Sequence, residues 1–183
     1  AKIADGGTVS LADMQALQAD HVMTVALPFI QYLGALQQAG QLPTEGNAAQ
    51  AANILLAWHT GGPNITPLDC PTGLAAGSLD PASAQNSSDP GDTANSAACM
   101  LFHTFLRRVL EQTFSDEEAV VGVGRSPGNE VRALITLLSG FPNPNNVFCR
   151  DVGANGAPLN GKTCQTQVLD ALGFAYAQLK GAY

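Results

Sequence analysis

Charged side chains are scarce in this sequence. They make up 13% of the 183 residues, whereas soluble domains carry about 25%, so the surface must rely on Asn, Gln, Ser and Thr. Basic residues are fewer than acidic ones, with 8 Lys or Arg against 15 Asp or Glu, and the formal net charge is -7. A field of that sign repels phosphate backbones and anionic lipid. The composition therefore argues against nucleic acid as a partner.

Long hydrophobic runs are also missing. No apolar run in the chain approaches the roughly 20 residues that a membrane-spanning helix needs. The N-terminal stretch AKIADGGT lacks the positively charged head and the apolar core of a signal peptide. We therefore expect no membrane span, and we expect any export signal to have been removed or to lie upstream of Ala1.

No two cysteines have C-x-x-C spacing, so a zinc ribbon or a thioredoxin-type motif is not available. An even number of cysteines in a chain of low charge favours two disulfides, for which three pairings are possible. We favour Cys70–Cys99 and Cys149–Cys164, because each bond closes one polar loop. Disulfides indicate an oxidising compartment, periplasmic or extracellular. The alternative is that all four cysteines are reduced, buried thiols.

What the sequence does contain is helical periodicity. Apolar residues recur three and four positions apart along much of the chain, which is typical of helices with one buried face. Pro28 divides one such stretch, because proline is tolerated in the first turn of a helix and not in its interior. The sequence predicts an all-α fold of five to seven helices with no internal repeat. Four of the predicted helices are given by their starts, near Ser10, at Leu27, near Asp92 or Thr93, and at Ser115. The other three are given by their ranges, 47–59, Val131–Leu138 and Val168–Leu179.

The chain is short enough for one domain. Its 183 residues predict a single helical domain, or a fragment of one, over 1–183. Residues 61–92 are rich in Pro, Gly, Ser and Asp and predict a long loop. A structureless loop of that length is uncommon inside a compact domain. It therefore indicates a functional loop, disorder, or a surface that packs against a missing partner.

The most enzyme-like string is Gly124-Arg-Ser126-Pro127-Gly128, which matches the Gly-x-Ser-x-Gly nucleophile elbow of α/β-hydrolases. Such an elbow uses the backbone N–H of the residue after the serine, and Pro127 has no N–H. The elbow also needs a histidine later in the chain, yet none follows His103. We therefore expect Ser126 to cap a helix that Pro127 opens.

Two acidic stretches have ordinary explanations. Residues 151–162 faintly resemble a calcium loop, but Lys162 stands where the loop's bidentate Glu is required, so a turn-rich disulfide loop is expected. The acidic run 116–118 follows Ser115, and Ser115 with Glu118 has capping-box spacing. These carboxylates are therefore predicted in the first turn of a helix, where they interact favourably with the helix dipole.

The three histidines have no metal-binding spacing. His21, His59 and His103 form no H-x-x-x-H pair, so a metal site would need distant residues to converge. His59 is expected at a helix C-terminus, where the dipole accounts for it. We therefore predict no catalytic, cofactor-binding or metal-binding residue in the chain.

Several stretches of the chain resemble a known family. They are Ser10-Leu-Ala-Asp-Met-Gln-Ala-Leu-Gln-Ala-Asp20 followed by Ala26-Leu-Pro28, then Ala52-Asn-Ile-Leu-Leu-Ala-Trp58, and then Ser96-Ala-Ala98 with Phe102. In this order they resemble the helical portion of the large subunit in the penicillin acylase family of N-terminal nucleophile hydrolases. That family includes penicillin, cephalosporin, aculeacin and acyl-homoserine lactone acylases. The resemblance covers most of the chain, with one departure, since Trp58 is followed by His59 and not by an acidic residue.

The resemblance implies an amidohydrolase with a larger α+β fold. Its nucleophile is a serine that begins a processed chain and uses its own α-amino group as the base, whereas this chain begins with Ala1. The oxyanion-hole residues of the family lie upstream of the region resembled, so no catalytic role is carried onto a residue here. The implied protein is a helical segment of an exported acylase that cleaves acyl amides, either β-lactam side chains or acyl-homoserine lactones. Its partner would be the remainder of the parent enzyme.

A second interpretation belongs to a different functional class. The chain would then be a self-contained, secreted, all-α binding module that uses the loop 61–92 to contact its ligand. Long loops without secondary structure are often binding loops. The sequence flanking the chain in its reading frame distinguishes the two interpretations.

Overall fold

Five α-helices make up most of the chain that the structure describes. The computed structural model describes residues 22–62, 65, 67–70, 90–122, 126–139, 149–151, 157, 159 and 161–180. The helices are α1 (Leu27–Gln38), α2 (Gly46–Thr60), α3 (Pro90–Val121), α4 (Pro127–Leu138) and α5 (Cys164–Lys180). Within these ranges the β pairings are two isolated bridges, Val22 with Asp69 and Gly62 with Ile65. The predicted all-α fold of five to seven helices is confirmed.

Some predicted features lie outside the described residues. These include the helix expected from Ser10, His21, and most of the loop 61–92. Among the helices that are described, none has both the length and the apolar character needed to cross a membrane.

Helix α1 begins at the position that its proline favours. A 3₁₀ turn, Thr24–Ala26, leads into the helix, and Pro28 lies in the first turn. The first N–H groups of a helix have no intrahelical partner, so the missing N–H of proline costs nothing there. Phe29, Leu33 and their buried neighbours then face the core. The prediction that Pro28 opens a helix at Leu27 is confirmed.

Helix α2 ends at a glycine with left-handed backbone geometry. Gly61 has a φ of 74°, and its N–H donates to the carbonyl oxygen of Ala57. A Cβ at this position would lie 3.0 Å from Cγ of Pro67 and 3.1 Å from the carbonyl oxygen of Ile65. The absence of a side chain therefore lets the backbone reverse immediately after the helix.

Helix α3 is continuous over 32 residues. It begins at Pro90, slightly before the predicted start near Asp92 or Thr93, and it runs through Ser115. The prediction of a new helix at Ser115 was wrong. The apolar face continues into this region through Leu110 and Phe114, which are both buried, and tertiary packing outweighs a local capping signal.

The continuity of α3 also means that the acidic run 116–118 is not at the start of a helix. Because α3 ends at Val121, this run lies near the helix C-terminus and not in a first turn. The prediction that these carboxylates interact favourably with the helix dipole was therefore wrong, since the C-terminal end of a helix carries partial negative charge.

The core forms where α5 packs against both α2 and α3. Val168, Leu172 and Ala175 of α5 are fully buried there. Four large aromatic rings fill the adjoining space between α1, α2 and α3. The ring of Phe29 meets the rings of Phe102 and Phe105 edge-on at centroid distances of 5.8 and 6.0 Å, and Trp58 lies 6.3 Å from Phe102.

Two disulfides connect the helices to the segments between them. Cys70, which follows α2, is bonded to Cys99 in α3, with Cα atoms 5.3 Å apart. Cys149 is bonded to Cys164, the first residue of α5, with Cα atoms 4.9 Å apart. All four cysteines are buried. This is the pairing that the sequence favoured.

Candidate functional site

Ser126 lies at the start of α4 in the position expected of a helix cap. It is exposed, and Pro127 is the first residue of the helix. Its carbonyl oxygen accepts the N–H groups of Asn129 and Glu130, each at 2.9 Å. Its hydroxyl makes no capping hydrogen bond to the backbone. Ser126 therefore has the predicted position, but the hydroxyl does not perform the predicted capping.

Glu130 binds a different backbone group at the start of α4. Its Oε1 accepts the N–H of Ser126 at 3.0 Å, one residue further along the helix than the acidic partner of a capping box. The side chain of Glu130 is buried, at 5% exposure. The geometry at α4 is therefore that of a helix terminus.

The two described histidines lie on different helices. His59 is in the last turn of α2, as predicted for a histidine that interacts with the helix dipole. His103 is an exposed residue of α3, one turn after Cys99. Its imidazole nitrogen comes within 4.8 Å of the sulfur atoms of Cys70 and Cys99. The spacing of histidines in the sequence did not reveal this convergence, because Cys70 comes from a distant segment.

Asp151, the first residue of the calcium-like loop, has partners of its own. Its Oδ2 lies 3.6 Å from Nζ of Lys162, and its Oδ1 accepts a hydrogen bond from Nε2 of Gln167 at 3.2 Å. The first and twelfth positions of the loop therefore form an ion pair, and the ammonium group repels a divalent cation.

A polar cluster that the sequence did not predict lies beside the Cys70–Cys99 disulfide. The carbonyl oxygen of Asp69 accepts the indole N–H of Trp58 at 2.8 Å, and its Oδ2 accepts Nδ2 of Asn95 at 3.3 Å. Asn95 is 3% exposed, and its Oδ1 has no hydrogen-bond partner among the described residues. One sequence signal was available, since Asn95 and Cys99 are one helical turn apart and Asp69 precedes Cys70.

Comparison with known proteins identifies the family. The family model described as penicillin amidase matches residues 1–183, the whole length of the chain. The chain belongs to the penicillin amidase family. A search of curated proteins found no match, and a search of solved structures found none.

In this penicillin amidase family chain, the large side chains of the stretches that carried the resemblance include several core residues. Leu55, Trp58, Ala98 and Phe102 are each at most 2% exposed. The run from Ser10 to Asp20 lies outside the described residues. The described part of the family likeness therefore includes residues of the helical core.

Proposed function

We propose that the chain is a helical, non-catalytic segment of an exported amidohydrolase of the penicillin amidase type. The match of the family model over residues 1–183 carries this proposal. The parent enzyme would hydrolyse an acyl amide to a carboxylic acid and an amine, acting on a β-lactam side chain or an acyl-homoserine lactone. The remainder of the parent enzyme would be the partner of this segment.

The side chains described in the structure support a scaffolding role. The carboxylate of Glu130 is bonded to the backbone of Ser126, and the carboxylate of Asp151 is shared between Lys162 and Gln167. A general base must lie within hydrogen-bond reach of the proton that it removes. The groups that would be recruited for an elbow or a calcium loop are therefore already engaged in holding helix ends and loops.

The disulfides support export of the parent protein. Such bonds persist in the periplasm and outside the cell and are rare where thiols are kept reduced. We propose an extracellular or periplasmic location on this basis. We also propose that residues 1–183 form one helical domain or part of one, in which the segment between α2 and α3 packs against the rest of the parent enzyme.

An amidase assay on the isolated chain tests the proposal. We expect no turnover of penicillin, of an acyl-homoserine lactone or of a chromogenic acyl anilide. Turnover that is abolished in Ser126→Ala and retained in Ser139→Ala would contradict the proposal. It would instead support Ser126 as the nucleophile of a nucleophile elbow. Ser139 is a suitable control because it is also exposed and at a helix terminus.

The reading frame around the chain provides a second test. We expect several hundred further residues, including an upstream serine that becomes the first residue of a processed chain. A frame that consists of a signal peptide, these residues and a stop codon would favour the self-contained binding module.

A further inference from the structure

Leu68 has a backbone conformation that residues with a side chain rarely adopt. Its φ is 56°, in the left-handed region, where the Cβ atom crowds the following carbonyl oxygen. Apart from glycines, no other residue in the described part of the chain has a positive φ. A strained residue of this kind persists only where its surroundings hold it, and such residues cluster at clamps and switch regions.

The segment around Leu68, residues 67–70, is bonded to two other parts of the chain and is called the clasp here. The N–H of Leu68 donates to the carbonyl oxygen of Trp58 at 3.1 Å, and its carbonyl oxygen accepts the N–H of Met23 at 2.9 Å. The carbonyl oxygen of Asp69 accepts the indole N–H of Trp58 at 2.8 Å. The clasp therefore joins the last turn of α2 to the residues that lead into α1.

Two further contacts join the clasp to α3, and they differ in strength. Oδ2 of Asp69 accepts Nδ2 of Asn95 at 3.3 Å, which is long for a hydrogen bond, and Asp69 is partly exposed, so water competes for its carboxylate. The other contact is the covalent bond between Cys70 and Cys99. Water cannot replace that bond, so it is the firmest attachment of the clasp.

We propose that the Cys70–Cys99 bond locks the clasp in its strained, closed conformation, and that without the bond the clasp opens while the helices stay in place. The bond joins residues 29 positions apart and so removes many of the conformations that Cys70 would otherwise adopt. The helices do not depend on it in the same way, because Phe29, Phe102 and Phe105 pack within a core of their own. This proposal does not depend on the proposed acylase function.

Trp58 reports the state of the clasp. It is the single tryptophan of the chain, it is 1% exposed, and opening of the clasp would uncover the edge of its indole. We expect Cys70→Ser/Cys99→Ser to keep its helical circular dichroism and to show a severalfold increase in quenching of the tryptophan fluorescence by acrylamide. The matched pair Cys149→Ser/Cys164→Ser removes the other disulfide and should leave the quenching unchanged.

Leu68→Ile tests whether backbone strain drives the opening. Isoleucine keeps the apolar volume of leucine, but a β-branched side chain is tolerated less well at positive φ. The change should have little effect on quenching in the chain with both disulfides, and should increase it further in the Cys70→Ser/Cys99→Ser background. The control Leu106→Ile, at a partly buried position within α3, should show no such dependence on the bond.

Hydrogen exchange provides an independent measurement. The amide protons of Met23 and Leu68 should exchange faster in Cys70→Ser/Cys99→Ser than in the wild-type chain, while that of Phe102 stays protected. Unchanged quenching and exchange would overturn the proposal, as would an equal increase in Cys149→Ser/Cys164→Ser. Loss of the helical signal in Cys70→Ser/Cys99→Ser would also overturn it, because the bond would then support the helices and not the clasp alone. An equal effect of Leu68→Ile with and without the bond would exclude the lock.

Discussion

Gln167 has one amide nitrogen within hydrogen-bond distance of three acceptors. Its Nε2 lies 3.1 Å from the carbonyl oxygen of Gln112, 3.2 Å from that of Cys149 and 3.2 Å from Oδ1 of Asp151. The side chain is 1% exposed. A single buried amide therefore connects α3, α5 and the residue of the second disulfide, in a place where water cannot replace it.

Replacing that amide with an apolar group of similar size should be costly. We expect Gln167→Leu to lower the free energy of unfolding by about 2–3 kcal/mol, because buried acceptors are left without donors. The matched change Gln165→Leu, at a less buried position of the same helix, should alter it by less than about 0.5 kcal/mol. Urea unfolding of both variants measures the difference. Equal effects would show that the amide of Gln167 has no special role.

Tyr32 should lose its phenolic proton only at high pH. Burial raises the pKa of its phenol from 10.0 to about 12, because the charged form is poorly solvated. The folded state then holds the proton more tightly than the unfolded state, so stability is full below pH 10 and is lost as the pH rises towards 12. A spectrophotometric titration should show a component near pH 12, and this component should be missing in Tyr32→Phe. A titration that is unchanged in this variant would contradict the assignment.

Residue roles were predictable from the sequence where they depend on near neighbours. The places of Ser126 and Pro127 at a helix start follow from local rules, and so does the place of His59 at a helix end. The bond from Asn95 to Asp69 joins residues 26 positions apart, and no local pattern encodes such a contact. The hydrogen bond from the N–H of Ser126 to the carboxylate of Glu130, one turn further along, was not predicted.

At the scale of elements, the end of α2 provides a sharp test. Gly61→Ala should destabilise the protein by about 2 kcal/mol, because alanine is strained at positive φ and its Cβ would approach Pro67 and Ile65. Gly62→Ala should be close to neutral, since a Cβ there meets no atom within 4 Å. Thermal unfolding of the two variants compares adjacent glycines. Similar losses at both positions would exclude the close approach as the cause.

The start of α4 allows a second test at this scale. Ser126→Ala should cost less than about 0.5 kcal/mol, because the hydroxyl caps no backbone group. Glu130→Ala should cost about 1–2 kcal/mol, because the N–H of Ser126 loses its acceptor. Denaturant unfolding distinguishes the two. A larger loss in Ser126→Ala would mean that the hydroxyl does cap the helix.

Element boundaries followed the sequence where proline or glycine marks them. Pro28, Gly61 and Pro127 each lie within one residue of an observed helix end. Ser115 and Glu118 had the spacing of a capping box but lie inside α3. Helix formation is decided by burial of a continuous apolar face as well as by end signals, and that burial is visible only in the folded chain.

For the whole molecule, the disulfides make a measurable contribution. The bond between Cys149 and Cys164 spans 15 residues, for which the chain-entropy model gives about 3 kcal/mol. We expect a Cys149→Ser/Cys164→Ser variant to lose about that much stability to urea. Thiol titration of the unfolded, oxidised wild-type chain should find no free thiol, and four free thiols would contradict both bonds.

The length of α3 has a consequence for hydrogen exchange. Its 32 residues extend about 48 Å, whereas the 17 residues of α5 cover about 26 Å. The shorter helix cannot shield the longer one from end to end. Amide protons around Phe102 and Phe105, which lie in the aromatic core, should therefore exchange with deuterium only on global unfolding. Those towards either end of α3 should exchange earlier through fraying, so that one continuous helix behaves as zones of different local stability.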